Sequence, residues 1–226
     1  METCLYDFSF KKSEFENCDR IYIGEEACDT FFINKYLIIE KSISILNEIN
    51  KPTTLVLPVI NEVNFERILN FVLLLKKKFN CIDEIVCNDI GTMNKLKGIG
   101  LKIGAGRIFC RSNIYNLKNL KELEIFDWIE VDFLNIKHLD ELLEFDISLY
   151  TNNVVYGFSN DRCPYYRKFG DKVSRKDCKC FCEKRILKMD NKYTDIKFYF
   201  YHNFILSNIK NTKFPNTVKR IIKAKG

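Results

Sequence analysis

Short β-rich runs alternate with helix-like stretches along most of this chain, and that alternation restricts the fold more than any other feature. Residues 21–25 (IYIGE), 54–60 (TLVLPVI), 84–88 (EIVCN), 101–109 (LKIGAGRIF), 127–134 (DWIEVDFL) and 146–150 (DISLY) read as strands, and 154–158 extends or repeats the last of them. Two final strands are expected over 195–205 and 218–224. Between them, Asn61 is placed to cap a helix that runs to about residue 79. That helix carries Glu62 and Glu66 near its start and Lys76 to Lys78 at its end. Its apolar positions Val63, Ile68, Leu69, Val72 and Leu75 fall near one face. Shorter helices are expected over 92–97, 113–123 and 137–144.

Strand and helix in such short units argue for parallel βαβ architecture. Seven or eight strands point to an α/β fold, a compact or incomplete TIM-like (β/α) barrel with a cysteine-rich loop. Such barrels typically take about 250 residues and this chain has 226, so some helices must shrink to loops. The expected organisation is a single domain over 1–226, with a basic, cysteine-rich segment over 159–190 inside it.

A content of 46% hydrophobic and 29% charged residues, with four prolines and nine glycines, excludes a disordered or collagen-like chain. Apolar runs reach only about five residues, as in 71–75, where a membrane span needs about 20. The opening METCLYDFSFKKSEFE lacks the basic and apolar regions of a secretory signal, so a cytoplasmic setting is expected. There, ten cysteines are core residues, metal ligands or catalytic thiols rather than a disulfide framework.

The net charge of +6 is unevenly spread. Residues 1–161 carry 18 basic and 25 acidic side chains (−7), 162–188 carry 10 and 3 (+7), and 189–226 carry 8 and 2 (+6). Such a basic third suits RNA, a small anionic substrate or an acidic partner, and equally a solvated face. No G-x-G-x-x-G follows a strand and no G-x-x-x-x-G-K-[ST] occurs, so dinucleotide and P-loop readings fail. Gly104 and Gly106 form only a lone G-x-G.

Four cysteines fall within twenty residues, Cys163, Cys178, Cys180 and Cys182. Soft thiolates this close suit zinc or an iron–sulfur cluster, and Lys and Arg nearby favour the thiolate. The spacing is neither zinc-ribbon nor bacterial-ferredoxin. Cys178, Cys180 and Cys182 alternate and cannot all point one way on an extended chain, so one is a bystander. Small buried hydrophobes are the plainer reading of such residues, and the better one for Cys4, Cys18, Cys81, Cys87 and Cys110, which lie in or beside apolar runs.

IYIGEEAC, ending at Cys28, and YGFSNDRC, ending at Cys163, are similar to two blocks of a known family. One is a first-strand "IYLGE" followed by a cysteine; the other is "AYSxRC", with a second cysteine group after a basic insert. The chain thus resembles the UbiU/UbiV-type branch of the collagenase-like peptidase family (family U-thirty-two), nearest its UbiV type. Asp89-Ile90-Gly91, Ala105-Gly106 and Asn113 match more weakly. The resemblance implies a 4Fe-4S cluster held by Cys28, Cys163, Cys178 and Cys182, with Cys180 as the extra thiol and zinc as the alternative metal. In this reading Cys28 and Cys163 each follow a strand and emerge at the C-terminal rim of the barrel. The chain departs from the family pattern at Arg107, Asp132 and 151–153, in an N-terminal helix shortened to about ten residues, and by stopping near the last strand.

Family members are linked to oxygen-independent, anaerobic hydroxylation of quinone precursors or RNA bases, and to proteolysis. The resemblance therefore implies an iron–sulfur hydroxylase or hydroxylase subunit. Glu25 and Asp89 are candidate acid/base groups, and Arg107, Asn113 and Arg162 candidate substrate-binding groups, with Arg167 a further cation. Surface ion pairs and solvated strand ends suit Glu25, Glu26, Asp89 and Asp132 as well. A non-catalytic cluster-holding subunit, paired with a second family member as a heterodimer, is the alternative. A zinc-stabilised RNA-binding domain is another. A peptidase is disfavoured, because only His138 and His202 are available and no H-E-x-x-H occurs.

Overall fold

Eight parallel strands close into a barrel in the computed structural model, which describes residues 1–7, 15, 17–132, 134, 142–152, 154–158, 163–165, 178, 180, 182, 187–189, 198–201, 204–207 and 217–225. In chain order these strands are β1 (Glu2–Asp7), β2 (Arg20–Gly24), β3 (Thr53–Val56), β4 (Ile82–Cys87), β5 (Lys102–Ala105), β6 (Trp128–Val131), β7 (Ile147–Tyr150) and β12 (Val218–Lys225). The barrel is therefore closed, not incomplete. Its closing seam joins the two ends of the chain, with Glu2 opposite Arg220 and Asp7 opposite Lys225. The run at 21–25, expected as the first barrel strand, is the second. β1 escapes sequence reading because no turn residues bound it.

Side-chain alternation then sorts the residues. Cys4, Tyr6, Tyr22, Val56, Val86, Trp128, Tyr150 and Ile222 cluster inside the barrel. Their sequence neighbours, among them Ile21, Ile23, Leu55, Ile85, Ile129, Leu149 and Ile221, pack outward against the helices. At the N-terminal end of the barrel the lining is ionic. Arg220 grips Glu84 in two bonds of 2.9 and 3.0 Å and also bonds Glu2 and Tyr22. Arg20 joins Glu2, Asp83 and Thr54. Ion networks at this end of a (β/α) barrel serve stability.

The β2–β3 crossover is made of α1 (Asp29–Asn34) and α2 (Tyr36–Glu48), longer than the shortened helix expected there. α3 (Glu62–Lys78) follows β3 as expected, with Asn61 at its N-cap. Its buried face is Ile68, Leu69, Phe71, Val72 and Leu75; Val63, in the first turn, is 68% exposed. α4 (Ile90–Leu96) follows β4, and the span 101–109 divides into β5 and the start of α5 (Arg107–Asn113). A 3-10 turn (Ile114–Asn116) and α6 (Leu117–Lys121) complete that crossover. Most of the helix expected over 137–144 lies outside the described residues.

Between β7 and β12 the chain builds a second sheet, β8 (Val154–Phe158), β9 (Leu187–Met189), β10 (Phe198–Tyr201) and β11 (Phe204–Ser207), in the antiparallel order β8-β11-β10-β9. β8 neither extends nor repeats β7, and the strand expected over 195–205 is two strands paired Tyr199 to Leu206. Because β7 ends at the C-terminal rim, this insertion starts there. Val155 packs on Ala27 and Ile108 at that rim, with Val59 and Tyr199 against them.

Candidate metal centre at the barrel rim

β2 delivers the first cysteine. It ends at Gly24, whose φ of +139° and whose closeness to β3 require glycine, since a Cβ would lie 2.1 Å from the Val56 carbonyl oxygen. The turn that follows is closed by the Glu25 carboxylate, which accepts from the Ala27 amide at 2.7 Å. Cys28, buried, ends this turn at the N-cap of α1. Asp29 then anchors the segment. Its fully buried carboxylate accepts from the amide and side chain of Asn61 (3.1 and 2.7 Å) and from the Asn64 side chain (2.9 Å).

The other three thiols come from the insertion. Cys163 follows β8, a strand of the antiparallel sheet and not of the barrel. Cys180 has φ +50°, a left-handed conformation uncommon for a residue with a side chain. Its thiol accepts from the Asn34 side chain at 3.0 Å, tying the insertion to the end of α1, and its amide donates to the Cys178 sulfur at 3.4 Å. Tyr165, buried beside Cys163, donates to the Phe200 carbonyl and accepts from the Leu187 amide at 3.4 Å.

These threads meet around Cys182. Burial pushes its thiol up, and next in weight are the charges of Cys28, Cys163 and Cys178, followed by Glu25. Cys28, Cys163 and Cys178 of the expected ligand set are thus near enough for their charges to be felt at Cys182. Among the described residues burial and mutual repulsion dominate at Cys182, and the lysines and arginines expected to favour thiolates lie, with the exception of Lys188, outside the described residues of the 162–188 segment. At Cys180 the hydrogen bond with Cys178 comes first, then burial, again upward. No disulfide joins any of the ten cysteines. Among the described residues no group of three or more His, Cys, Asp or Glu side chains is arranged to hold a metal ion.

Beneath the rim lies a buried polar core. Arg107, at the start of α5, is fully enclosed; its Nε donates to Glu26 Oε2 at 2.9 Å and a second nitrogen donates to Oε1. Its guanidinium lies 3.9 Å from the centroid of the Tyr150 ring. The Tyr150 hydroxyl donates to Glu130 Oε2 at 3.3 Å. Asp132, also buried, accepts from the amides of Leu134 and Val155 at 3.1 Å each, fastening β8 to the rim. Gly106 has room for no side chain, since a Cβ would lie 2.3 Å from Asn88 Oδ1; Asn88 itself bonds the Leu57 carbonyl and the Ile108 amide.

Of the expected site residues, Glu25 stands beside the thiols. Asp89 lies elsewhere in the rim as the cap of α4, accepting from the Thr92 amide and hydroxyl at 2.7 and 2.8 Å. Arg107 is held by Glu26, and Asn113 donates to the Phe109 carbonyl of its own helix at 2.9 Å. Arg162, Arg167, His138 and His202 lie outside the described residues. Sequence reading missed Glu130 and Tyr150. Their only sequence signal is strand parity, which places both on the inward face. A cavity of about 350 Å³ beside Trp128, Lys102 and Arg220 opens at the opposite, N-terminal end of the barrel, away from the thiols.

No family model, no curated protein and no solved structure matches this chain.

Proposed function

We propose that the chain is an iron–sulfur protein in which Cys28, Cys163, Cys178 and Cys182 hold a 4Fe-4S cluster at the barrel rim. The observation that supports this reading is that Cys28, from the β2 turn, and Cys163 and Cys178, from the insertion, all act on the half-buried Cys182 although Cys28 is remote from them in sequence. Gathered thiols push one another's pKa up, a cost that binding a cationic metal group reverses. Four sulfurs around one zinc ion would stand about 3.8 Å apart, given Zn–S bonds of about 2.3 Å in a tetrahedron. A four-iron cluster takes its cysteines on separate irons and holds them wider.

The resemblance to the UbiU/UbiV-type branch supplies the reaction class. The cluster would pass electrons or activate an oxygen donor in an oxygen-independent hydroxylation of an aromatic or nucleobase substrate. Of the chain's own residues, Asn34 and Asp29 would fix the two cysteine-bearing segments. The test is anaerobic purification followed by measurement of iron, acid-labile sulfide and zinc per chain. About four irons and four sulfides are expected. Alanine at 28, 163, 178 or 182 should lose them, and Cys180→Ala should keep them. Zinc without sulfide, or no metal at all, overturns the assignment.

A further inference from the structure

The cavity of about 350 Å³ at the N-terminal end of the barrel reaches the size at which pockets take small organic ligands. Four neighbouring strands, β5, β6, β7 and β12, begin at its mouth. Lys102 opens β5, Asp127 and Asp146 immediately precede β6 and β7, and Lys219 is the second residue of β12. Around the mouth the charges therefore run lysine, aspartate, aspartate, lysine. All four side chains are exposed, and none of them makes an ion pair among the described residues. Asp127 is fixed in place. One of its oxygens accepts from the Ile103 amide at 2.6 Å, and its own amide donates to the Ile103 carbonyl at 2.6 Å.

Deeper in the cavity the charges are already matched. Arg220 is bonded to Glu2 and Glu84, and its guanidinium carbon lies 5.4 Å from the centroid of the Trp128 ring. Trp128 and Ser148 line this wall and are both buried, Ser148 lying opposite Arg220 in the sheet register. The Trp128 indole N–H has no hydrogen-bond partner among the described residues, so the wall contains a donor without an acceptor.

This distribution of charge selects a ligand. A simple anion drawn to the two lysines would meet both aspartates, and a simple cation drawn to the aspartates would meet both lysines. A ligand that carries one charge of each sign satisfies both pairs. Its remaining part is uncharged, because Arg220 is neutralised within the wall, and the Trp128 ring offers that part an apolar surface. We propose that the basal cavity binds a small zwitterion of the amino-acid type with an uncharged side chain. The ligand carboxylate lies at Lys102 and Lys219, and the ammonium at Asp127 and Asp146. The site is at the end of the barrel opposite the thiols, so it stands whether or not a metal group is held at the rim.

Trp128 is the only tryptophan of the chain, so its emission reports on this cavity directly. The full chain is titrated with each common amino acid except tryptophan, followed by fluorescence and by isothermal titration calorimetry. At least one with an uncharged side chain should bind saturably, with a Kd of about 1 mM or below, and change the emission. Its analogues lacking the amino group or the carboxylate should bind about tenfold more weakly or worse. Lys102→Gln, Lys219→Gln and Asp146→Asn, all at exposed positions, should each weaken binding by about two- to fivefold, as loss of an exposed charge pair does. The proposal is overturned by the absence of saturable binding, by binding that leaves the emission unchanged, or by equal binding of an analogue lacking one charge. Unaltered affinity in all three variants overturns it as well.

Discussion

Glu130 carries a signature in folding. Burial pushes its native pKa up to about 8, above its ordinary value of 4.5, so between those values the native state holds a proton that the unfolded chain has released. Stability contributed by this group is thus intact below about pH 4.5 and falls as pH rises toward 8, by at most about 1.4 kcal/mol per pH unit. Glu130→Gln should flatten that decline, read as denaturant midpoints across the window. Neighbouring Arg107 is a different case, since its charge is paired. Arg107→Met, which strands Glu26 as a buried unpaired anion, should cost about 3–5 kcal/mol. The double variant with Glu26→Leu should recover part of that loss, and a double-mutant cycle measures the difference. Gly104→Ala would put a Cβ 2.4 Å from the Trp128 indole and should destabilise by about 1–3 kcal/mol through overpacking. The lone G-x-G is explained by these contacts: Gly104 makes room for Trp128 and Gly106 for Asn88.

At the scale of elements, the thiols depend on two ties. Asp29 joins the start of α1 to the start of α3 through three hydrogen bonds, and Asn34 joins the end of α1 to Cys180. Asn34→Ala should leave barrel stability within about 1 kcal/mol, as loss of one half-buried hydrogen bond does. It should nonetheless loosen the 178–182 segment, seen as faster alkylation of Cys178 and Cys182. Equal alkylation rates in variant and parent would show that the segment is held by other contacts. Elements with strong period were legible beforehand. α3 announces itself by Asn61, its acidic first turn and its lysine-rich end, and β3 and β4 by dense β-branched runs. Val63 misled because apolar spacing marks a face without saying where the first turn sits relative to the core. The strand expected over 195–205 looked continuous because nothing in YFYHNF marks a turn.

For the whole molecule, closure is the decisive fact. β1 and β12, from opposite ends of the chain, complete the barrel by pairing six residues in register. Removing residues 1–7 should expose the edges of β12 and β2, and exposed edges promote strand pairing between chains. Loss of a sharp unfolding transition, with aggregation in light scattering, is the expected outcome; a stable monomer would show that seven strands suffice. The same closure makes the C-terminal rim a single platform, on which the turn after β2 brings Cys28 near enough to be felt at Cys182 of the insertion.

The amino-acid sequence by itself determined the α/β class, the barrel and the clustering of cysteines over 163–182, because strand period, helix capping and thiol spacing are local properties. It marked Arg107 as a cation without showing that Glu26 neutralises it, and Asp89 as a carboxylate without showing that it caps α4. Only the tertiary structure decided that Cys28 acts on the distant Cys182, that Cys180 turns its sulfur to Asn34, and that Glu130 and Tyr150 share the barrel core. Those facts depend on contacts between residues 20 to about 150 positions apart, made when the sheet closes, and no local pattern encodes which inward-facing residues then meet.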